Sequence, residues 1–204
     1  MLPFSPAVLA QVERLGGTWR HVPADADALT RVEALSFPKR LISNDEIDFL
    51  RPEESGLPDV DALIALDGPL PDVPVTDTLP DGVRWCGDEW QAGDITHQWE
   101  DGIGVNFPLV DLAADHPDAL VGFRELLGDP QASRAVLLTY SDGYPNHHFI
   151  NADDARPEDP AVWSTDHEGF FSVMEEVAPS LSGWLRRQLT DEEMYAQARA
   201  SADG

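Results

Sequence analysis

The segment Arg134-Ala135-Val136-Leu137-Leu138-Thr139-Tyr140 decides how this chain folds. Its four consecutive apolar residues, 135 to 138, read as a β-strand buried within a core. Working outward, Ser141-Asp142-Gly143 is a turn, and His147-His148-Phe149-Ile150-Asn151 returns as a second strand. Residues 161–164 supply another. Upstream, residues 83–85, 95–99 and 105–110 read as strands separated by Gly and Asp turns. Residues 116–127 form a helix, with Leu120, Phe123, Leu126 and Leu127 as its apolar side.

Helices close both ends. Ser5-Pro6 starts a helix over residues 7–15 that carries Val8, Leu9, Val12 and Leu15, and Gly16-Gly17 ends it. Residues 18–22 are strand-like. Residues 25–35 read as a second helix with Ala28, Leu29, Val32 and Leu35 apolar, and Ser43 with Glu46 is a capping box for a short helix through Leu50. At the other end, residues 179–189 form a helix with Leu181, Trp184, Leu185 and Leu189 at helical spacing. Thr190 with Glu193 is a second capping box, opening a helix that frays over residues 201–204. Pro52, Pro58, Pro69, Pro71, Pro74 and Pro80 punctuate the stretch between, which also holds a short apolar run at residues 62–66. The chain therefore divides into a helical extension or divergent first half (1–67), a Pro-rich connection (68–82), a main domain (83–189), and a C-terminal helix and tail (190–204). Helices at the ends with consecutive strands between them predict an α+β fold.

The 204 residues fit one domain, or one domain with a small extension. At 42% apolar and 25% charged residues the chain has enough material for a core. Its charge is extreme: 38 acidic against 13 basic residues, a formal net charge of −25. Nucleic acid is not an expected partner, because phosphate contacts need a basic face, and anionic membrane surfaces are disfavoured for the same reason. The single cysteine, Cys86, rules out an intramolecular disulfide and any paired-cysteine metal knuckle. Residues 1–6 lack the basic start of a signal peptide, and no run approaches the length of a membrane span. The expectation is a soluble cytoplasmic protein.

Catalytic signatures are sparse. His147-His148 and Asp166-His167-Glu168 are the residues that a divalent metal enzyme would use. Neighbouring strand residues point to opposite faces, however, so His147 and His148 cannot both turn to one site. There is no GxSxG elbow, Walker A loop or GxGxxG fingerprint. Cys86, beside Trp85, reads as a small buried hydrophobe. The sequence predicts no enzyme, no cofactor and no metal.

The distribution of charge says more. Residues 52–123 hold sixteen acidic residues against one basic residue, Arg84. Such a stretch is either a solvated face or a docking surface for a basic protein, where complementary charge speeds encounter and fixes register. Within it Asp88, Glu89, Asp94, Glu100 and Asp101 fall around turns, interleaved with Trp90 and Trp99. Exposed carboxylates beside an aromatic anchor are what a partner-binding site needs, so these seven are the candidate site.

Two segments carry a family resemblance. Ala161-Val162-Trp163-Ser164-Thr165-Asp166-His167-Glu168 is followed by Val177-Ala178-Pro179-Ser180-Leu181-Ser182-Gly183-Trp184-Leu185. This resembles the C-terminal signature of the SUKH superfamily, in which a strand ends in a W-x-x-D-H-E-like turn and a short helix follows. The resemblance covers roughly residues 83–189. It implies a mixed, mostly antiparallel sheet flanked by helices, and a non-enzymatic protein-binding role. Many bacterial members look like immunity proteins that neutralise polymorphic toxins, often nucleases, and others act as regulatory scaffolds. It implies no specific contact residue. In the second segment Val177, Leu181, Trp184 and Leu185 make a helical stripe suited to packing on a sheet.

Overall fold

The computed structural model describes residues 1–38, 41–43, 88–90, 96–98, 104–106, 109–141, 147–165, 171, 173–190 and 193. The apolar run found in the sequence is the middle of β8 (Arg134–Ser141). On one side β8 pairs with β9 (His147–Asn151), followed by β10 (Val162–Thr165) and then β11 (Met174–Ala178). On its other side two short strands share its length. β7 (Leu109–Asp111) pairs with the start of β8, and β4 (Asp88–Trp90) with its end. Every pairing in this six-stranded sheet is antiparallel. Helices cover the sheet, so the chain is an α+β fold.

Alternation along the strands splits the core in two. Val136, Leu138, Ile150, Val162 and Ala178 face α1 (Pro6–Arg14) and α5 (Leu181–Arg187), packing with Val8, Leu9 and Val12 and with Leu181, Trp184 and Leu185. Residues near the N-terminus thus share a core with the main sheet. Ala135, Phe149, Ala161 and Trp163 face the other way, against Leu112 of α3 (Leu112–Asp115) and Phe123 of α4 (Pro117–Leu127). Two bulges adjust the alternation. Leu137 pairs with Phe149 but Thr139 with His148, which makes Leu138 an inserted residue. Val162 pairs with Ala178 but Trp163 with Glu176, which inserts Val177.

Local chemistry sets the helix ends. Ser5 accepts a hydrogen bond from the Val8 amide at 3.3 Å, with Pro6 opening α1. Gly16 closes it at φ 75°, and at Gly17 a Cβ would lie 2.8 Å from the Ser36 carbonyl, so only glycine fits. β1 (Thr18–Trp19), the observed core of the strand expected over residues 18–22, pairs with β2 (Leu35–Ser36). Asp27 caps α2 (Ala28–Val32) through the Thr30 amide at 2.8 Å. This helix is shorter than expected: Leu35 is still buried, but it satisfies its backbone in β2 opposite Trp19. In α4 Phe123 is fully buried and Leu120 and Leu127 are half-buried, whereas Leu126 lies on the outward shoulder at 48% exposure.

The C-terminal reading needs two corrections. Val177 belongs to β11, not to a helix; Ser180 starts α5 by accepting from the Gly183 amide at 3.1 Å. Strand runs almost directly into helix, so Val177 reaches the same core as Leu181, Trp184 and Leu185 without sharing their helix. The helix stops at Arg187. Leu189, expected within it, pairs instead in β12 (Gln188–Leu189) with β3 (Ile42–Ser43). The expected Ser43–Glu46 capping box, the strand over 83–85, the Pro-rich connection and the tail fall outside the described residues, apart from Ser43 itself.

Arg14 fastens the two ends. Its Nη2 donates to the carbonyls of Leu185 at 3.0 Å and Gln188 at 2.7 Å, and its Nη1 to Glu193 at 2.7 Å. One guanidinium thus serves a carbonyl of the last helical turn and that of the residue that caps it. The second capping box forms as read: the Thr190 amide donates to Glu193 at 2.8 Å and the Glu193 amide to Thr190 Oγ1 at 3.2 Å. The Thr190 amide, more than Arg14, holds the Glu193 carboxyl below the usual range. Changing Arg14→Met is expected to lower the unfolding free energy in urea by about 2 kcal/mol; an unchanged midpoint would show that the capping is dispensable. Because folding depresses the Glu193 pKa, its contribution is present above the unfolded value and lost as pH falls through the folded one. Melting temperature measured against pH should therefore show a shallower acid limb in Glu193→Gln than in the parent.

Candidate functional site

β4 carries the first three residues of the candidate docking site. Asp88 pairs with Ser141, Glu89 with Tyr140 and Trp90 with Thr139. Asp88 and Glu89 are therefore strand residues and not turn residues, because the end of β8 finds its ladder partner here. Trp90 is half-buried and packs onto the α1–α5 side of the core. Its ring meets Phe37 with centroids 4.8 Å apart at 60°. The Trp90 indole N–H is buried and has no hydrogen-bond partner among the described residues. Asp94, Trp99, Glu100 and Asp101 lie outside the described residues. Near them, β5 (Thr96–Gln98) and β6 (Gly104–Asn106) pair as antiparallel strands, so the expected strand over 105–110 is divided between β6 and β7.

The histidine pair separates as strand geometry demands. His147 turns to the α3–α4 side. There it lines a cavity of about 20 Å³ with Val110, Leu137, Phe149, Thr165 and Phe171, room for about one water molecule. His148 turns to the opposite side, with its Nδ1 3.0 Å from Thr139 Oγ1 and its ring 5.2 Å from that of Trp184. The two imidazoles do not meet at one site. Asp166, His167 and Glu168 lie outside the described residues, as does Cys86. Among the described residues no three His, Cys, Asp or Glu side chains are placed to hold a metal ion. No helix among them is long and apolar enough to cross a membrane.

Exposed acidic side chains outnumber exposed basic ones among the described residues. Most of the described arginines bond within the chain. Arg14, Arg31 and Arg124 donate to main-chain carbonyls at 2.7 to 3.1 Å, and Arg187 donates to Val177. Arg134 and Arg156 stand beside Asp153 and Asp154. Many carboxylates remain outside: Asp111, Asp115, Asp118 and Glu125 on α3–α4 and its entry, and Glu175 and Glu176 on β11 are exposed. Asp111 caps the first turn of α3 through the amides of Ala113 and Ala114. The charge density of residues 52–123 thus extends onto α3–α4, which a search for Trp and acid together passes over. The available sequence signal was the helical spacing of Asp118 and Glu125, seven residues apart on one stripe.

Comparison of the chain with protein-family models, with curated proteins and with solved structures gives no match in any of the three.

Trp90 offers a direct check on the division between core and surface. Trp90→Ala should cost on the order of 2–3 kcal/mol by chemical denaturation, since it empties a half-buried ring site. Trp90→Phe should cost less than about 1 kcal/mol, because the indole N–H it deletes makes no hydrogen bond. Equal and small effects would place the ring outside the core.

Proposed function

We propose that this chain is a non-enzymatic protein-binding domain of the SUKH type, acting as an acidic immunity protein. Its target would be a basic, nuclease-type polymorphic toxin, neutralised by stoichiometric occlusion of the surface that holds nucleic acid. One observation carries the reading: among the described residues exposed acidic side chains far outnumber exposed arginines, and most of the arginines there already bond to the chain's own carbonyls and carboxylates. A surface arranged in this way carries an uncompensated negative field, which attracts basic proteins and repels nucleic acid. A nuclease must be basic to grip phosphate, so an inhibitor of it gains from being acidic. The likeness of residues 161–168 and 177–185 to the SUKH signature supports the same class, and so does the antiparallel sheet flanked by helices.

The test is affinity capture from the native host, eluted in a salt gradient. The expected result is one basic nuclease-like protein, released at raised salt and re-forming a one-to-one complex that abolishes its nuclease activity. Charge reversal at Asp88, Glu89, Glu100 and Asp101 should weaken that complex. If no basic protein is retained, or retention is indifferent to salt, the charge is a solubility feature and the proposal fails.

A further inference from the structure

We propose that the outward face of α4 is a docking surface for a basic partner that inserts an apolar side chain ringed by lysine or arginine. The proposal rests on the acidic-docking function above and names the place and chemistry of the contact.

An α-helix repeats its faces every three to four residues, so Asp118, Val121 and Glu125 line one outward stripe. Val121 is 61% exposed there, between the two carboxylates. Leu126 stands on the adjoining shoulder at 48% exposure. The segment ahead of β11 runs alongside: a Cβ at Gly122 would lie 3.9 Å from the Phe171 carbonyl, two residues before Val173. Val173 is 55% exposed. Five large apolar side chains are exposed among the described residues, and these are three of them. The other two are Met1 and Leu2.

Nothing in the fold explains Val121 outside. A β-branched residue is a poor choice for an exposed helix position, and this one buries little. Among the described residues Asp118 and Glu125 have no ion-pair partner, and Arg124, the one basic residue of α4, donates to the Ala132 carbonyl at 2.9 Å. The result is a small apolar centre with a carboxylate rim, which is the anatomy of a protein interface.

Charge selects the occupant. A second copy of this chain would bring the same carboxylates and a further net charge of −25 to the contact. Nucleic acid and anionic lipid are repelled likewise. A basic protein surface satisfies the rim, and one aliphatic or aromatic side chain from it covers Val121 and Leu126.

The probe is a synthetic amphipathic helical peptide of leucine and lysine, titrated at physiological ionic strength into the full chain labelled with nitrogen-15. Amide shifts should centre on Asp118, Val121, Glu125, Leu126 and Val173. The double variant Val121→Ser, Leu126→Ser should weaken binding about tenfold with the melting temperature maintained, and Glu125→Arg should weaken it comparably. Shifts centred on β4, or an affinity that ignores the double serine change, would overturn the α4 site while leaving an acidic docking function in place. Failure of the peptide to bind anywhere would overturn both. Sedimentation showing a dimer that the double variant abolishes would assign the face to self-association and overturn the proposal.

Discussion

Burial of β8 on both faces is the constraint from which the architecture follows. Ala135, Val136, Leu137 and Leu138 are all under 10% exposed, so neither side of the strand can face water. Antiparallel sheets commonly leave one face wet. Here α1 and α5 cover one face while α3 and α4 cover the other. α1 and α5 lie far apart in the sequence, so residues near the N-terminus and those after β11 must both return to the same face of the sheet. Leu138 adds a further demand. As an inserted residue it shifts the register, so that Thr139 meets His148 on one side while His147 turns to the other.

The same demand shapes the use of charge. Carbonyls at element ends, in loops and on a sheet edge lack ladder donors, and arginine is well suited to them because its planar fork donates several hydrogen bonds and stays charged. Arg14, Arg31, Arg124 and Arg187 all take this role. These bonds leave each guanidinium its positive charge, so the acidic exterior follows from composition, 38 acidic against 13 basic residues.

Much of this was legible in the sequence, and the exceptions share a cause. β8 and β9 stand out because burial forces their side chains to be apolar, and the Ser5 and Thr190 caps because capping needs particular side-chain oxygens. β11 was missed since its middle reads Glu175-Glu176: a strand at the sheet edge buries little, so its sequence carries no alternation to detect. Leu35 and Val177 were placed in helices because periodicity registers which residues are apolar without stating which element presents them. Both are packed in the core, as their chemistry requires, but from strands. For the site, proximity of Trp and acid in sequence selected Asp88, Glu89 and Trp90. Strand pairing puts the Trp90 ring into the core, whereas the exposed face of α4 is marked by Val121, a residue remarkable in sequence only once its outward position is known.

The grip of Arg14 on Leu185 and Gln188 spans 171 and 174 residues of chain. A ribosome adding about 5 to 20 residues per second completes α5 some tens of seconds at most, and roughly ten at least, after α1 has been made. Through that interval the stripe of Val8, Leu9 and Val12 lacks the helix that flanks it in the native core, and one face of β8 has only half of its cover. Closure of this side of the core therefore waits on a contact between segments synthesised far apart in time.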